Sequence, residues 1–162
     1  MVRGYSYLYG FEYSILRLAW ILDESDILRI FEFETWEQNM INKEESEMFE
    51  RLCANGKALF VPAYENGSAR IDHIVDAQDA AQAVFLCIEN KASRGEIFNI
   101  AGPCPFKYDE FIEYVSKKSG KKWHKGKTSG AFPYELSIEK AKKIISYKPV
   151  FGIKEILKKA FK

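Results

Sequence analysis

The sequence predicts an α/β fold, and three observations carry that prediction. Residues 14–22 are a dense apolar run, residues 74–88 pass from a strand pattern into an amphipathic helix, and residues 96–101 return to a strand pattern. Strands that alternate with helices are typical of parallel α/β sheets. With 162 residues, 47% of them hydrophobic, the chain is long enough to bury a core, and its composition excludes global disorder.

The first third of the chain contains a predicted strand and a predicted helix, separated by an irregular stretch. Residues 14–22 are interrupted only by Arg17, which favours a buried central strand, and a short aromatic helix precedes them. The apolar residues of the segment 23–42 follow neither a helical nor a strand periodicity. In the segment 43–55 the apolar residues fall on one helical face, and Gly56 follows as a C-terminal stop.

The middle of the chain contains two further strands and the strongest helix pattern. Residues 58–61 and 70–75 have strand composition and are joined by a turn-rich segment at 65–68, which predicts a hairpin or a nearby pair. In the helix that follows, Asp76 and Asp79 are placed to cap the exposed amides of the first turn. We expect Asp79 to organise this region without contacting a ligand.

The last third of the chain continues the alternation. Residues 96–101 are a predicted strand, and a helix begins near Tyr108 and ends at Gly120. Two short helices are predicted at 137–146 and 153–161, the second with its apolar residues on a single face.

The charge is balanced overall but unevenly distributed. A net charge of +1 gives no whole-molecule attraction to nucleic acid or to an anionic membrane, and neither is expected as a partner. Residues 23–50 contain ten acids and two bases, whereas residues 117–162 contain fourteen lysines. The segment 117–127 combines six lysines with Trp123 and His124. We interpret it as a solvated loop between a helix and a strand, with nucleic-acid binding as the weaker alternative.

Several classes of site are not supported by the sequence. The three cysteines have no metal-ligand or disulfide spacing, so we expect reduced thiols, no metal site and a cytoplasmic protein. No run approaches the roughly 18 apolar residues that a membrane span needs. His73 is interpreted as a structural histidine because no partner at catalytic or metal-ligand spacing accompanies it.

Five segments of the chain follow one another in a recognisable order. They are 9–20 (YGFEYSILRLAW), 74–83 (IVDAQDAAQA), 96–102 (EIFNIAG), 107–111 (KYDEF) and 137–149 (SIEKAKKIISYKP). In this order and spacing they resemble the C-terminal half of the extended short-chain dehydrogenase/reductases, a family that includes the NAD-dependent sugar epimerases and dehydratases. The resemblance covers essentially residues 5–161.

The resemblance implies one incomplete domain over residues 1–162. Such a chain would supply the last strands of a Rossmann-like sheet and the smaller lobe that binds substrate, typically a nucleotide-linked sugar. In the family, an N-terminal half contributes a Gly-rich turn for NAD or NADP, and a Ser with a Tyr-x-x-x-Lys pair performs acid/base catalysis.

The catalytic and cofactor-binding elements of that family have no counterpart in this sequence. The chain contains no GxGxxG, GxxGxxG or GxxxxGK[ST] sequence, so the cofactor-binding residues are unknown. The sequence YVSKK at 114–118 fits the Tyr-x-x-x-Lys spacing, but it follows the strand at 14–22 instead of preceding it. We interpret it as the exposed side of a helix. No catalytic residue is assigned, and the chain alone is expected to be inactive.

Four residues are candidates for binding the substrate. Arg17 lies in the strand that the family places near the substrate, and Trp20 stands where many sugar epimerases have an asparagine. Arg70 is the candidate for a diphosphate, because a guanidinium can bind phosphate through two hydrogen bonds. Asn99 belongs to the strand at 96–101. Structural ion pairs are the alternative for both arginines.

The expected ligand is a nucleotide sugar or a related small molecule. A homodimer, or pairing with a separate N-terminal half, is expected because the missing half would leave a sheet edge exposed. The alternative function is a non-catalytic binding or scaffolding module that assembles through that edge.

Overall fold

The computed structural model describes residues 1–53, 56–130 and 133–162, and it divides the chain into two compact units. Unit 1 contains residues 1–22, 73–104 and 136–152, and unit 2 contains residues 23–72, 105–135 and 153–162. The helices are α1 (Val2–Tyr9), α2 (Phe33–Trp36), α3 (Lys43–Cys53), α4 (Ala77–Glu89), α5 (Ile112–Ser119), α6 (Glu139–Ile145) and α7 (Ile153–Ala160). The strands are β1 (Ile15–Leu18), β2 (Trp20–Leu22), β3 (Ala58–Ala63), β4 (Ile71–Asp72), β5 (Ile74–Asp76), β6 (Ile97–Ile100), β7 (Phe106–Lys107) and β8 (Lys122–Lys127).

Unit 1 is built on two pairs of parallel strands. β1 pairs with β6, with Leu16 opposite Phe98, and β2 pairs with β5, with Ile21 opposite Val75. Along the chain, β5 leads into α4, and β6 follows it. The strand, helix, strand order predicted for the middle of the chain is therefore confirmed.

The core of unit 1 combines these strands with α4 and α6. Ala83 of α4, Ala141 of α6 and Phe98 of β6 are all buried in it, and the two alanines let their helices lie close to the core. The fully buried Tyr147 donates its hydroxyl hydrogen to the carbonyl oxygen of Ala101 at 3.0 Å. This bond satisfies the one polar atom that the large ring brings into the core.

The single buried strand predicted at residues 14–22 is wrong in two respects. The segment is divided into β1 and β2 at the buried Ala19. In addition, the side chains of Leu18, Trp20 and Ile21 are 38%, 40% and 44% exposed. Parallel strands normally have both faces covered, so these strands lack the cover that their apolar sequence predicts.

Unit 2 contains a third parallel pair, formed by β3 and β8. Phe60 of β3 lies opposite His124 of β8. The predicted hairpin or nearby pair is confirmed only at its turn, where Ala63 and Ala69 form an isolated antiparallel bridge and the amide of Tyr64 donates to the carbonyl oxygen of Ser68 at 3.0 Å. The strand β3 itself pairs with β8 and not with the next strand along the chain. The predicted strand at 70–75 is itself divided, because β4 pairs with β7 in unit 2 while β5 belongs to unit 1.

β8 corrects the interpretation of the lysine-rich segment as a loop. Lys122–Lys127 form a six-residue strand against β3, whose residues are all buried. Gly126 fits there because it has no side chain: a Cβ at this position would lie 2.6 Å from Phe60 and 2.8 Å from Phe49. Pairing with a buried partner strand outweighs the low strand propensity of lysine and glycine.

Aromatic rings fill the core of unit 2. Phe60 packs edge-to-face on Phe33 and Phe49, with ring centroids 5.4 and 5.2 Å apart. Tyr108 is the centre of a second group, which it forms with Phe31, Trp36 and Phe106.

The helices predicted in the second half of the chain are confirmed, as is the one at 43–55 up to Cys53; residues 54 and 55 lie outside the described part. Gly120 ends α5 with a left-handed backbone (φ 70°), and its amide donates to the carbonyl oxygen of Ser116 at 2.9 Å. Residues 23–42 form short turns of helix around α2, in keeping with the irregular stretch predicted there.

Candidate functional site

Two of the predicted site residues lie on neighbouring strands of unit 1. Arg17 of β1 is opposite Asn99 of β6, and partners in a strand pair project from the same face of the sheet. Arg17 is exposed, so it does not need the ion pair that burial would have required. Asn99 is half-buried, and its Nδ2 donates to the carbonyl oxygen of Ser137 at 3.3 Å. The structure therefore places Arg17 and Asn99 side by side on one face of this strand pair.

The third candidate of unit 1 lies on the other strand pair. Trp20 is opposite Ile74, between the exposed strand residues Leu18 and Ile21. An indole that is 40% exposed beside apolar neighbours offers a flat surface for a ring or for another protein segment.

Arg70 lies in unit 2, where its guanidinium is held on several sides. Its Nε donates to Oδ2 of Asp72 at 3.4 Å, and its Nη1 donates to the carbonyl oxygen of Ser129 at 3.0 Å and to Oγ1 of Thr128 at 3.4 Å. Its Cζ lies 4.7 Å from the ring centroid of Trp36, within range of a cation–π interaction. With its side chain only 16% exposed, this geometry favours a structural role for Arg70 over diphosphate binding.

The residue that completes the Arg70 site could not be recognised from the sequence. Tyr108 is fully buried and donates its hydroxyl hydrogen to Oδ2 of Asp72 at 3.0 Å. Burial raises the pKa of Asp72 above its ordinary value, while Arg70 and the Tyr108 hydroxyl oppose that shift. Burial also raises the pKa of Tyr108, and the Asp72 carboxylate adds to the increase. Because Tyr108 lies 36 residues from Asp72 in the chain, no local motif indicates this Arg–Asp–Tyr network.

His73 is a structural residue, as its isolation in the sequence predicts. It is 3% exposed, and its Nδ1 accepts a hydrogen bond from the amide of Leu136 at 3.3 Å. The other nitrogen, Nε2, therefore carries the hydrogen and donates it to the carbonyl oxygen of Gly102 at 3.0 Å. Both bonds link His73 to segments of unit 1 that are distant in the chain.

The two acids at the start of α4 have different partners. Asp76 caps the helix, because its Oδ1 accepts from the amide of Gln78 at 2.8 Å. Asp79 is 3% exposed, and its carboxylate accepts from the amides of Val150, at 3.1 and 2.9 Å, and Phe151, at 2.8 Å. The prediction that Asp79 organises this region holds, but it does so by holding a segment 71 residues away as well as by its place in the first turn.

The turn from β5 into α4 does not fit the pyrophosphate of a dinucleotide. A phosphate at a helix N-terminus needs free amides and a glycine-rich approach. In this turn the amide of Gln78 already donates its hydrogen bond to the Asp76 carboxylate, and no glycine lies between Ile74 and Glu89. The residues of this turn therefore give no support to NAD or NADP binding.

A second feature that the sequence did not reveal is a groove between α5 and α7 in unit 2. It has a volume of about 370 Å³ and is lined by Glu110, Phe111, Tyr114, Lys154, Leu157 and Lys158. The i, i+4 spacing of Lys154 and Lys158 was visible in the sequence. That these two lysines lie close to Tyr114 of α5 was not.

Two kinds of site have no support in the described part of the chain. Among the residues in the ranges 1–53, 56–130 and 133–162, no three His, Cys, Asp or Glu side chains are grouped so that they could hold a metal ion. In the same ranges, no helix combines the length and the apolar character required to cross a bilayer.

Comparison with known proteins gives a curated relative and many solved structures. No protein-family model matches the chain. The chloroplast stem-loop binding protein of 41 kDa b of Arabidopsis thaliana is 30% identical over an alignment of 130 positions, which covers 70% of this chain and 33% of that protein. The chain thus spans about a third of the length of this relative.

The solved structures share the fold at low sequence identity. A short-chain dehydrogenase/reductase superfamily protein from Agrobacterium tumefaciens with bound NAD has a TM-score of 0.83 at 18% identity, over 98% of this chain and 52% of that one. UDP-glucuronic acid 4-epimerase from Bacillus cereus, in complex with UDP-glucuronic acid and NAD, has a TM-score of 0.66 at 18% identity, over 98% of this chain and 47% of that one. A dTDP-glucose 4,6-dehydratase from Streptomyces venezuelae has a TM-score of 0.65 at 19% identity, over 98% and 45%. The predicted α/β fold class, a partial Rossmann-like sheet with a smaller lobe, is confirmed, and the chain spans about half of these structures.

Proposed function

We propose, from a fold that corresponds to the C-terminal half of an extended short-chain dehydrogenase/reductase, that this chain is the substrate-binding portion of an NAD(P)-dependent nucleotide-sugar epimerase/dehydratase-like protein. One observation carries the proposal: nearly the whole chain, 98%, matches about half of an epimerase in complex with UDP-glucuronic acid and NAD. The motif resemblance at residues 9–20, 74–83 and 96–102 supports the same half of the fold.

The cofactor belongs, in this proposal, to residues outside the 162 of this chain. Related structures contain NAD, whereas the sequence has no Gly-rich phosphate turn and Asp76 occupies the start of α4. An N-terminal half would supply the turn and the Tyr-x-x-x-Lys pair. Without them the chain is expected to bind substrate but not to turn it over.

Arg17, Trp20 and Asn99 are the residues of unit 1 proposed to contact the ligand. The Arg17 guanidinium and the Asn99 amide can donate hydrogen bonds to sugar hydroxyl or phosphate oxygens, and the Trp20 ring can pack against a sugar or a base. Arg70 of unit 2 is a weaker candidate for phosphate binding than Arg17, because its guanidinium already donates hydrogen bonds to Asp72 and Ser129.

The exposed strand residues of unit 1 support a protein partner. Leu18, Trp20 and Ile21 are exposed apolar residues of parallel strands, and such strands are normally covered on both faces. We propose the N-terminal half of the fold as the cover, with a second copy of the chain as the alternative. Sedimentation that shows a stable monomer at high concentration would argue against the second copy.

A binding titration tests the substrate proposal. UDP-glucuronic acid and NAD are added separately to the isotope-labelled chain, and amide shifts are followed by two-dimensional NMR. We expect UDP-glucuronic acid to shift the amides around Arg17, Trp20 and Asn99, and NAD to leave the spectrum unchanged. The Arg17→Gln variant should weaken the effect, while Arg3→Gln, at an exposed arginine of α1, should not. Shifts with NAD and none with the nucleotide sugar would contradict the proposal.

Nucleic-acid binding is a second candidate function, favoured by a specific observation. The curated relative of 30% identity is named as a stem-loop binding protein, and residues 117–162 of this chain contain fourteen lysines against three acids. The direct test is fluorescence anisotropy of a labelled RNA hairpin with the full chain. Affinity that falls as salt is added is expected, and no binding at low salt would exclude this candidate.

A further inference from the structure

The groove between α5 and α7 combines an aromatic surface with positive charge. Phe111 and Leu157 contribute its apolar lining, and Tyr114 is 37% exposed on its α5 side. The ring of Phe161 packs edge-to-face on Tyr114, with centroids 5.9 Å apart. Because this neighbour restrains the tyrosine ring, little rotational freedom is left to lose when a flat group stacks on its open face.

Three lysines surround this tyrosine. The ammonium group of Lys118 lies 6.0 Å from the Tyr114 ring centroid, one helical turn further along α5. Lys154 and Lys158 are four residues apart on α7, line the groove and are exposed. Among the described residues, no ion pair involves any of the three. Their charge is therefore available to an anionic ligand.

The acids near the groove do not cancel this charge. Glu110 is the acidic residue of the groove lining, against Lys154 and Lys158 in the lining and Lys118 beside it. Glu113, a neighbour of Tyr114 on α5, accepts a hydrogen bond from Nε1 of Trp123 on β8 at 3.1 Å. The groove thus keeps an excess of positive charge around a partly exposed ring.

We propose that the α5–α7 groove is a binding site for single-stranded RNA, such as the loop of a hairpin. A base stacks on Tyr114, and Lys118, Lys154 and Lys158 contact the phosphates on either side. Cationic side chains around an exposed aromatic ring are the recurring arrangement for single-stranded nucleic acid, since every base has a face for stacking and every linkage carries a charge. This inference rests on the second proposed function and gives it a location.

The test compares charge removal inside and outside the groove. The Lys154→Ala/Lys158→Ala double variant and a control, Lys143→Ala/Lys148→Ala, remove the same charge, the control from exposed positions of unit 1. The probe is a fluorescein-labelled RNA hairpin with a uridine-rich loop, measured by anisotropy across a salt series. We expect the groove variant to bind about tenfold more weakly, with a salt slope smaller by about 2, and the control to change little.

Variants of Tyr114 distinguish the contribution of base stacking to RNA binding from that of charge. Tyr114→Ala should weaken binding about tenfold without changing the salt slope, and Tyr114→Phe should bind like the wild type. Circular dichroism and thermal unfolding check that each variant folds. If Tyr114→Ala does not fold, the comparison of the two lysine double variants still decides the outcome.

Four results would overturn the inference. Equal losses in the groove and control variants would mean general charge attraction, and RNA binding that no groove variant weakens would place the site elsewhere while RNA binding itself stands. Absence of hairpin binding by the wild-type chain would remove both the site and the second proposed function. Vesicles of phosphatidylcholine and phosphatidylserine are the last probe, and binding to them that the groove variant abolishes, while hairpin binding persists, would make the groove a membrane contact.

Discussion

Removal of the Asp79 carboxylate is the sharpest test of how unit 1 is held together. The Asp79→Ala variant takes away the acceptor for the amides of Val150 and Phe151, at distances of 2.8 to 3.1 Å. Because the carboxylate is 3% exposed, its replacement also leaves a small void beside α4. We therefore expect a clear loss of stability without a change of fold.

The size of the loss follows from the two donors. A hydrogen bond to a charged group contributes about 1.5–3 kcal/mol. Val150 is 62% exposed, so water can replace part of the lost interaction and the lower figure applies. Two donors then give a loss of about 3 kcal/mol, which lowers the unfolding midpoint of a chain of this size by about 10 °C. Asp79→Asn keeps one acceptor oxygen, and about half of that loss is expected.

Urea unfolding followed by circular dichroism measures the effect. Glu89→Ala is the matched control, since Glu89 is an exposed acid at the other end of the same helix, and its removal should change the free energy of unfolding by no more than about 0.5 kcal/mol. If Asp79→Ala lost less than about 1 kcal/mol, or no more than Glu89→Ala, the tie between α4 and the segment at 150–151 would not be a stabilising interaction.

Three further predictions concern Gly126, Asp72 and the cysteines. Gly126→Ala should destabilise the chain by about 1–3 kcal/mol in thermal unfolding, because its Cβ would overlap the rings of Phe60 and Phe49, whereas Gly4→Ala, with open space around it, should not destabilise it. NMR titration of the Asp72 carboxyl should give a pKa above its ordinary value, and Arg70→Met should raise that pKa further. The contribution of Asp72 to the free energy of unfolding is therefore complete below the pKa of the unfolded chain and is lost as the pH rises towards the raised pKa of the folded protein. An ordinary pKa in both proteins would refute the network. Burial raises the pKa of Cys53 to about 11, so a thiol reagent at neutral pH should modify the exposed Cys104 and leave Cys53 unmodified until the protein unfolds.

The alternation of strands and helices was predictable because it depends on local patterns. The apolar face of α4 and the end of α5 at Gly120 each depend on residues that are close together in the sequence, and the structure confirms both. The structural role of His73 also followed from the sequence, since no residue near it offered a chemical partner.

Pairing between distant segments was not predictable from these patterns. β8 consists of lysines, a histidine, a tryptophan and a glycine, and it becomes a strand only because β3 and the ring of Phe60 lie beside it. The bonds from Asp79 to Val150 span 71 residues, and a local cap was the only partner that the sequence could suggest.

The candidate site divides in the same way. Arg17 and Asn99 could be named from the sequence, but their position side by side depends on the register of β1 and β6. Arg70 was assigned to phosphate because its chemistry suits that ligand, and only the structure shows that Asp72 and Ser129 already occupy it.

The most direct test of the proposed half-fold is to isolate the protein from its own cells under native conditions and to sequence every polypeptide of the purified species by mass spectrometry. We predict that a Gly-rich strand-to-helix turn and a Tyr-x-x-x-Lys pair are present, either ahead of Met1 in the same chain or on a second chain bound in equal amount. A species of 18.7 kDa that contains neither motif and has no bound partner would contradict the proposal.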